Sequence, residues 1–178
     1  MSEKNDVYSD VKGQMRLSER IAAFLPGFHG YKEKEIRRES DRLIRNHLYL
    51  KLSTAKTDLR EVSQKLADRR YFDVLTDMDR LLAKMDRVVE KVNHASYGYS
   101  GFFDAVKVKE ENLDHMITFD NQLIDNVTAL STEIDALKAD LVSGQTSNLK
   151  TRVQNVTDKL EGLEDTFDKR EEVILGVS

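Results

Sequence analysis

Apolar residues recur every three or four positions along four long stretches of this 178-residue chain. Such spacing is typical of helices that bury one face, because an α-helix completes a turn in about 3.6 residues. Two segments rich in glycine and aromatic residues, 25–31 and 95–108, interrupt the pattern. The pattern therefore predicts an all-α protein.

The four stretches predict helices over about residues 31–67, 69–94, 109–142 and 147–174. The first should be unbroken, since it contains neither Pro nor Gly. Gly144 suits the position after the third helix, and Ser147 offers an N-cap for the fourth.

Residues 1–17 are polar, and we expect a poorly ordered lead-in there. A single helical domain should then occupy residues 18–178, which is a length that can bury a substantial core. It should begin with a short amphipathic turn that Ser18 caps and that Pro26 and Gly27 end.

Each predicted helix has an apolar seam. The first seam comprises Ile44, Leu48, Leu52, Ala55, Leu59, Val62 and Leu66. The second comprises Phe72, Leu75, Met78, Leu82, Met85, Val89 and Val92. The third comprises Leu113, Met116, Phe119, Leu123, Val127, Leu130, Ile134, Leu137 and Leu141. The fourth comprises Leu149, Val153, Val156, Leu160, Leu163, Phe167 and Ile174. Mid-seam residues should be buried, namely Leu59, Leu82, Val127 and Leu160.

Four seams with short connections predict an elongated, coiled-coil-like bundle of four antiparallel helices in up-down-up-down order. An extended helical hairpin that completes its core by dimerising has the same pattern. Residues 31–67 carry ten basic and six acidic residues, whereas 109–142 carry two basic and eight acidic. This contrast favours packing of the first helix near the third, although solvated faces would also explain it.

Composition limits the function further. The chain is 39% hydrophobic and 34% charged, with a net charge of −4 and no Cys, which rules out disulfides and a cysteine nucleophile. The mild charge does not suggest a nucleic-acid coat. We see neither the apolar run of a signal peptide nor one long enough for a membrane span, and we expect a cytoplasmic protein.

Antiparallel connectivity would bring the two interrupting segments to one end of the bundle. Seven of the thirteen aromatic residues would gather at this aromatic pole: Phe24, Phe28, Tyr31, Tyr97, Tyr99, Phe102 and Phe103. The rings could form a hydrophobic lid over the core. Alternatively they form an exposed docking surface, because large apolar patches usually mark interaction sites.

A run of arginines lies beside this pole: Arg37, Arg38, Arg42 and Arg45. Guanidinium groups suit phosphates and carboxylates, so RNA, DNA or lipid headgroups are conceivable partners. Acidic residues are interleaved, however, and pairs such as Asp41 with Arg45 at i,i+4 favour a solvated, self-paired face.

Catalytic patterns are missing from the sequence. The four histidines, at 29, 47, 94 and 115, form none of the paired Glu-x-x-His units that a carboxylate-bridged metal centre in a bundle requires. Neither a Gly-x-Ser-x-Gly elbow nor a phosphate-binding glycine loop occurs. We therefore expect no enzyme activity, no cofactor and no metal.

Two segments resemble uncharacterised prokaryotic helical proteins. They are Leu-Pro-Gly-Phe-His-Gly-Tyr-Lys-Glu-Lys-Glu at 25–35, with Arg37–Asp41 behind it, and Gly-Tyr-Ser-Gly-Phe-Phe-Asp-Ala-Val-Lys at 98–107. The resemblance implies a bacterial or archaeal source. It brings no activity and no functional residue to this chain.

These observations lead to three hypotheses. The first is a non-enzymatic interaction or scaffolding module that binds another protein, or a second copy, through Tyr31, Tyr97, Tyr99, Phe102 and Phe103, with Arg37 and Arg38 on the flank. The second is an adaptor for an anionic surface that uses the basic face of the first helix. The third is a small metal-dependent enzyme that uses the histidine-bearing half.

Overall fold

A computed structural model describes residues 18–29, 34–95 and 110–175 of the chain. Throughout these ranges the regular elements are helical, as the sequence predicts. They are α1 (residues 18–24), α2 (Lys34–Asp68), α3 (Phe72–His94), α4 (Glu110–Ser143) and α5 (Leu149–Leu175), with a 3-10 turn at Thr146–Asn148 before α5. The predicted lead-in, 1–17, lies outside the described residues.

The turn between α2 and α3 moves the start of the second long helix from the expected Arg69 to Phe72. Arg70 has a φ of 62°, the left-handed conformation that usually ends a helix at glycine. The Tyr71 N–H donates to the Leu66 carbonyl oxygen over 3.0 Å, which closes the last turn of α2. An arginine in this position gives no sequence signal for the turn.

The end of α4 follows the expected chemistry. Gly144 has a φ of 77°, and the Gln145 N–H donates to the Asp140 carbonyl oxygen over 2.9 Å. This is the bond pattern of a helix that ends in a left-handed glycine. Ser147, expected to be the N-cap of the next helix, lies inside the 3-10 turn instead.

The four long helices pack as two hairpins side by side. Within the hairpins α2 packs against α3 and α4 against α5, while between them α2 packs against α4 and α3 against α5. Lys138 on α4 binds Asp58 on α2 over 2.5 Å, and Lys91 on α3 binds Asp168 on α5 over 2.5 Å. The first helix therefore does lie beside the acidic third one.

The predicted seams of α2 and α5 are confirmed. All seven residues from Ile44 to Leu66 are buried, as are the six of α5 from Leu149 to Phe167. The side chain of Ile174, the last residue of the α5 seam, is outside the described part. In α4, Met116 and the seam residues from Leu123 to Leu141 are buried, Phe119 is half-buried, and the Leu113 side chain lies outside the described part.

The seam of α3 was predicted wrongly in part. Phe72 is 65% exposed, and Leu75 and Leu82 are only half-buried. The core side of α3 consists of Val74, Met78, Leu81, Met85, Val88, Val89 and Val92. Apolar residues stand next to one another at 74–75, 81–82 and 88–89, so the spacing fits two faces equally well. Packing against α2 and α5 buries the first residue of the first two pairs, Val74 and Leu81, and both valines of the third pair.

Helix α1 lies on the first half of α4. Ile21, Leu25 and Phe28 are buried, and Arg20 forms an ion pair with Asp125. Along the same half of α4, Ile117 and Ile124 are buried in addition to the seam. Because these two residues lie seven apart, on one face of α4, we infer that α1 covers them.

We predict opposite effects for alanine at two glycines. A Cβ at Gly162 in α5 would meet no atom within 4 Å, so Gly162→Ala should stabilise the protein by about 0.5–1 kcal/mol through its higher helix propensity. Gly144→Ala should destabilise it by about 1–2 kcal/mol, because alanine is strained at this positive φ. Urea unfolding measures both. Shifts of the same sign would contradict the backbone conformations described here.

Candidate functional site

One end of the bundle brings together the helix ends that flank the two aromatic segments. Asp41 lies near the start of α2 and Asp120 near the start of α4, and both bind Arg170 near the end of α5. Helix α3 ends close to the level of Arg170. Lys91, three residues before the end of α3, binds Asp168, which lies next to this level on α5. We call this the pole end. The segments 30–33 and 96–109 are attached to it.

The predicted patch residues themselves lie outside the described part of the structure. Tyr31, Tyr97, Tyr99, Phe102 and Phe103 belong to the undescribed segments, and the side chains of Arg37 and Arg38 in the first turns of α2 are likewise not described. Of the pole aromatics that are described, Phe28 is buried and Phe24 is 51% exposed. One ring thus belongs to the core, and one faces solvent.

A buried group of charges underlies the pole end. We call Asp41, Arg45, Asp120 and Arg170 the charged layer. The Arg170 Nε donates to Asp120 Oδ1 over 2.5 Å, and its Nη1 donates to Asp41 Oδ1 over 2.9 Å. Arg45 Nε donates to Asp41 Oδ2 over 2.7 Å. The side chain of Arg170 is only 1% exposed, and its guanidinium joins carboxylates from two other helices.

Buried polar groups gather at this end. Within the described ranges the buried polar or charged residues are Ser40, Asp41, Asp120, Asn121 and Arg170. The Asn121 side-chain amide donates to the Ile117 carbonyl oxygen over 2.9 Å. The rest of the described core is apolar.

The sequence reading missed the charged layer. Asp41 and Arg45 were interpreted as a surface pair, but Arg45 is 12% exposed and Asp41 is buried. The available signal was spacing, because Asp120 stands three residues before Leu123 and Arg170 three after Phe167, which are both seam steps. Charge normally marks a solvated position, and this outweighed the spacing.

The proposed basic face of the first helix is partly taken up by local carboxylates. Arg42 donates from Nη2 to both carboxylate oxygens of Glu39, over 2.8 and 2.9 Å. Arg45 faces the buried Asp41 and is not part of an exposed surface. Of the four arginines, two are therefore paired within α2, which weakens the hypothesis of a contact with an anionic partner.

Specific contacts or pKa effects are described for two of the histidines, His47 and His94. His47 is half-buried on α2, where burial and then the nearby charge of Lys51 lower its pKa. The exposed His94 lies 3.1 Å from Glu90, one turn earlier on α3. Among the described residues, no three His, Asp or Glu side chains are arranged to hold a metal ion.

Two concavities in the described ranges are open grooves. One, of about 260 Å³, lies between α2 and α4 and includes Lys51, Thr54 and Ser131. The hydroxyls of both Thr54 and Ser131 donate to carbonyl oxygens of their own helices. The other, of about 350 Å³, lies between α4 and α5 and includes Glu133 and Lys159. Both grooves are open to solvent, whereas small-molecule sites enclose most of the ligand's surface and are lined mainly by apolar side chains.

The opposite end of the bundle, where the α2–α3 and α4–α5 turns lie, also exposes apolar residues. Phe72 at the start of α3 is 65% exposed, and Val142 at the end of α4 is exposed as well. Arg69 donates to the Leu141 carbonyl oxygen and so ties the ends of α2 and α4 together. We call this the distal end. Its exposed ring provides a matched control for the pole aromatics.

Comparison of the chain with protein-family models, with curated proteins and with solved structures gives no significant match. The resemblance to uncharacterised prokaryotic helical proteins remains a prediction. Within the described ranges, none of the helices has the length and apolar character needed to cross a bilayer.

Proposed function

We propose that this protein is a non-enzymatic helical scaffold that binds another protein at its pole end. The observation that carries the proposal is the meeting of four helix ends there. The starts of α2 and α4 and the end of α5 share Arg170, and α3 ends nearby. In the chain, the segments 30–33 and 96–109, which contain five of the aromatic residues, connect directly to these helix ends.

A packed core beneath the pole end supports this function. The apolar seams of α2, α4 and α5 continue up to the charged layer. A binding surface held on rigid elements loses less conformational entropy when it binds. Phe24, exposed on α1 beside the buried Phe28, adds an aromatic side chain at the same end.

We further infer that the long helices form one elongated up-down-up-down bundle within a single chain. The ion pairs between the hairpins support this arrangement, because Asp58 with Lys138 and Lys91 with Asp168 both form inside one chain. The alternative is a hairpin that completes its core by dimerisation. Size determination by light scattering distinguishes a monomer from a dimer.

The test compares one double variant and one single variant with the wild type in a binding experiment. Tyr99→Ser with Phe102→Ser should abolish capture of the partner, identified by co-purification from the source organism and then used in purified form. Phe72→Ser, which removes an exposed ring at the distal end, should leave capture unchanged. Circular dichroism and the melting temperature should be nearly the same for all three proteins.

Three results would contradict the proposal. If the double variant melts far below the wild type, the rings form a lid over the core. If it stays folded and still binds, the partner uses another surface. Equal loss of binding in Phe72→Ser would move the site to the distal end.

A further inference from the structure

The charged layer occupies positions that the apolar seams would otherwise fill. Asp41 stands three residues before Ile44, Asp120 three before Leu123, and Arg170 three after Phe167. The three side chains belong to three different helices and meet at one level of the core. The seams thus continue through this level with charges in place of apolar groups.

Stability alone does not account for charges at these positions. Moving carboxylates and a guanidinium out of water carries a desolvation cost that their mutual attraction often fails to recover. Apolar residues of similar volume commonly hold such a site as well or better. A gain in stability is therefore a weak explanation for the layer.

Apolar seams discriminate poorly between registers. Steps of three and four residues repeat, so two helices that slide by one heptad again place apolar groups opposite one another. Between the hairpins, α2 meets α4 and α3 meets α5 largely through such seams. A second copy of the chain would offer the same seams to either hairpin.

We propose that the charged layer fixes the register and the partner of the two hairpins. Arg170 reaches Asp41 and Asp120 together only when the end of α5 lies level with the starts of both α2 and α4. If one hairpin slid along the other by a heptad, the buried charges would face apolar groups. The same would happen if a hairpin from a second copy of the chain packed in such a shifted register. The desolvation cost that limits the stability gain thereby excludes these alternatives.

An apolar-layer variant tests this directly. It combines Asp41→Leu, Arg45→Met, Asp120→Leu and Arg170→Met in the full chain. We expect helicity close to wild type, but a second species in native mass spectrometry and a second set of backbone amide resonances of comparable intensity. Wild type should show one species and one set.

A matched control removes an ion pair between the hairpins at the surface. Lys84 on α3 pairs with Glu161 on α5, whose side chain is half exposed. The variant Lys84→Met with Glu161→Leu should keep one species and one set of resonances. A second species in this control would show that any lost ion pair between the hairpins has the same effect, and the layer would have no special role.

Three further results would overturn the proposal. One is an apolar-layer variant with a single species and a single set of resonances. Another is a wild type that itself exchanges hairpins between copies. The third is loss of helicity both in this variant and in a second variant with smaller side chains, which combines Asp41→Ala, Arg45→Met, Asp120→Ala and Arg170→Met. The layer would then be required for folding itself.

Discussion

Replacing Arg170 with Met is expected to lower the free energy of unfolding by about 3–5 kcal/mol. The Arg170 side chain is 1% exposed, and its guanidinium donates to Asp120 and Asp41 over 2.5 and 2.9 Å. Without it, Asp120 loses its ion pair with Arg170, and among the described contacts Asp41 keeps only its ion pair with Arg45. The loss comes from the charges left behind, so the single change should lower stability more than replacement of the whole layer.

Arg42→Met is the matched control for this experiment. Arg42 also pairs with a carboxylate, Glu39, but its side chain is 62% exposed. Exposed pairs typically contribute under about 1 kcal/mol, so this variant should unfold almost like wild type. Urea unfolding of both variants under identical conditions gives the comparison. An Arg170→Met loss no larger than that of Arg42→Met would mean that water reaches the layer.

Truncation of two adjacent leucines is expected to give unequal losses. Leu81→Ala should cost about 2–5 kcal/mol, because Leu81 is buried and its removal leaves a cavity in the core. Leu82→Ala should cost less than about half of that, since Leu82 is half-buried and solvent can fill part of the space. Urea unfolding of the two variants measures the difference.

The pair is a controlled comparison. Both residues are leucines in the interior of α3, so the change in helix propensity is the same in the two variants. Only the direction of the side chain differs. A larger loss of stability in Leu82→Ala than in Leu81→Ala would support the seam that the spacing predicts. Helix α3 would then have to be rotated about its axis. At Leu59, Val127 and Leu160, where prediction and structure agree on burial, truncation should be costly.

The sequence was least informative where one apolar spacing fits two different buried faces of a helix. In α3, neighbouring apolar residues at 81–82 and 88–89 fit two faces, and single-helix periodicity cannot choose between them. In α4 the seam was visible, but the extra burial of Ile117 and Ile124, which we attribute to cover by α1, was not. The candidate patch at Tyr97, Tyr99, Phe102 and Phe103 remains a prediction.

By itself, the sequence determined the helical class, the core faces of α2 and α5, and the glycine that ends α4. These are local properties, since they follow from the helical repeat and from the backbone freedom of a single residue. The tertiary structure alone decided that Asp41, Asp120 and Arg170 are buried. A buried charge is tolerated only with a partner at hydrogen-bonding distance, and here the partners lie up to 129 positions apart in the chain. Their proximity depends on how α2, α4 and α5 pack, which no local pattern records.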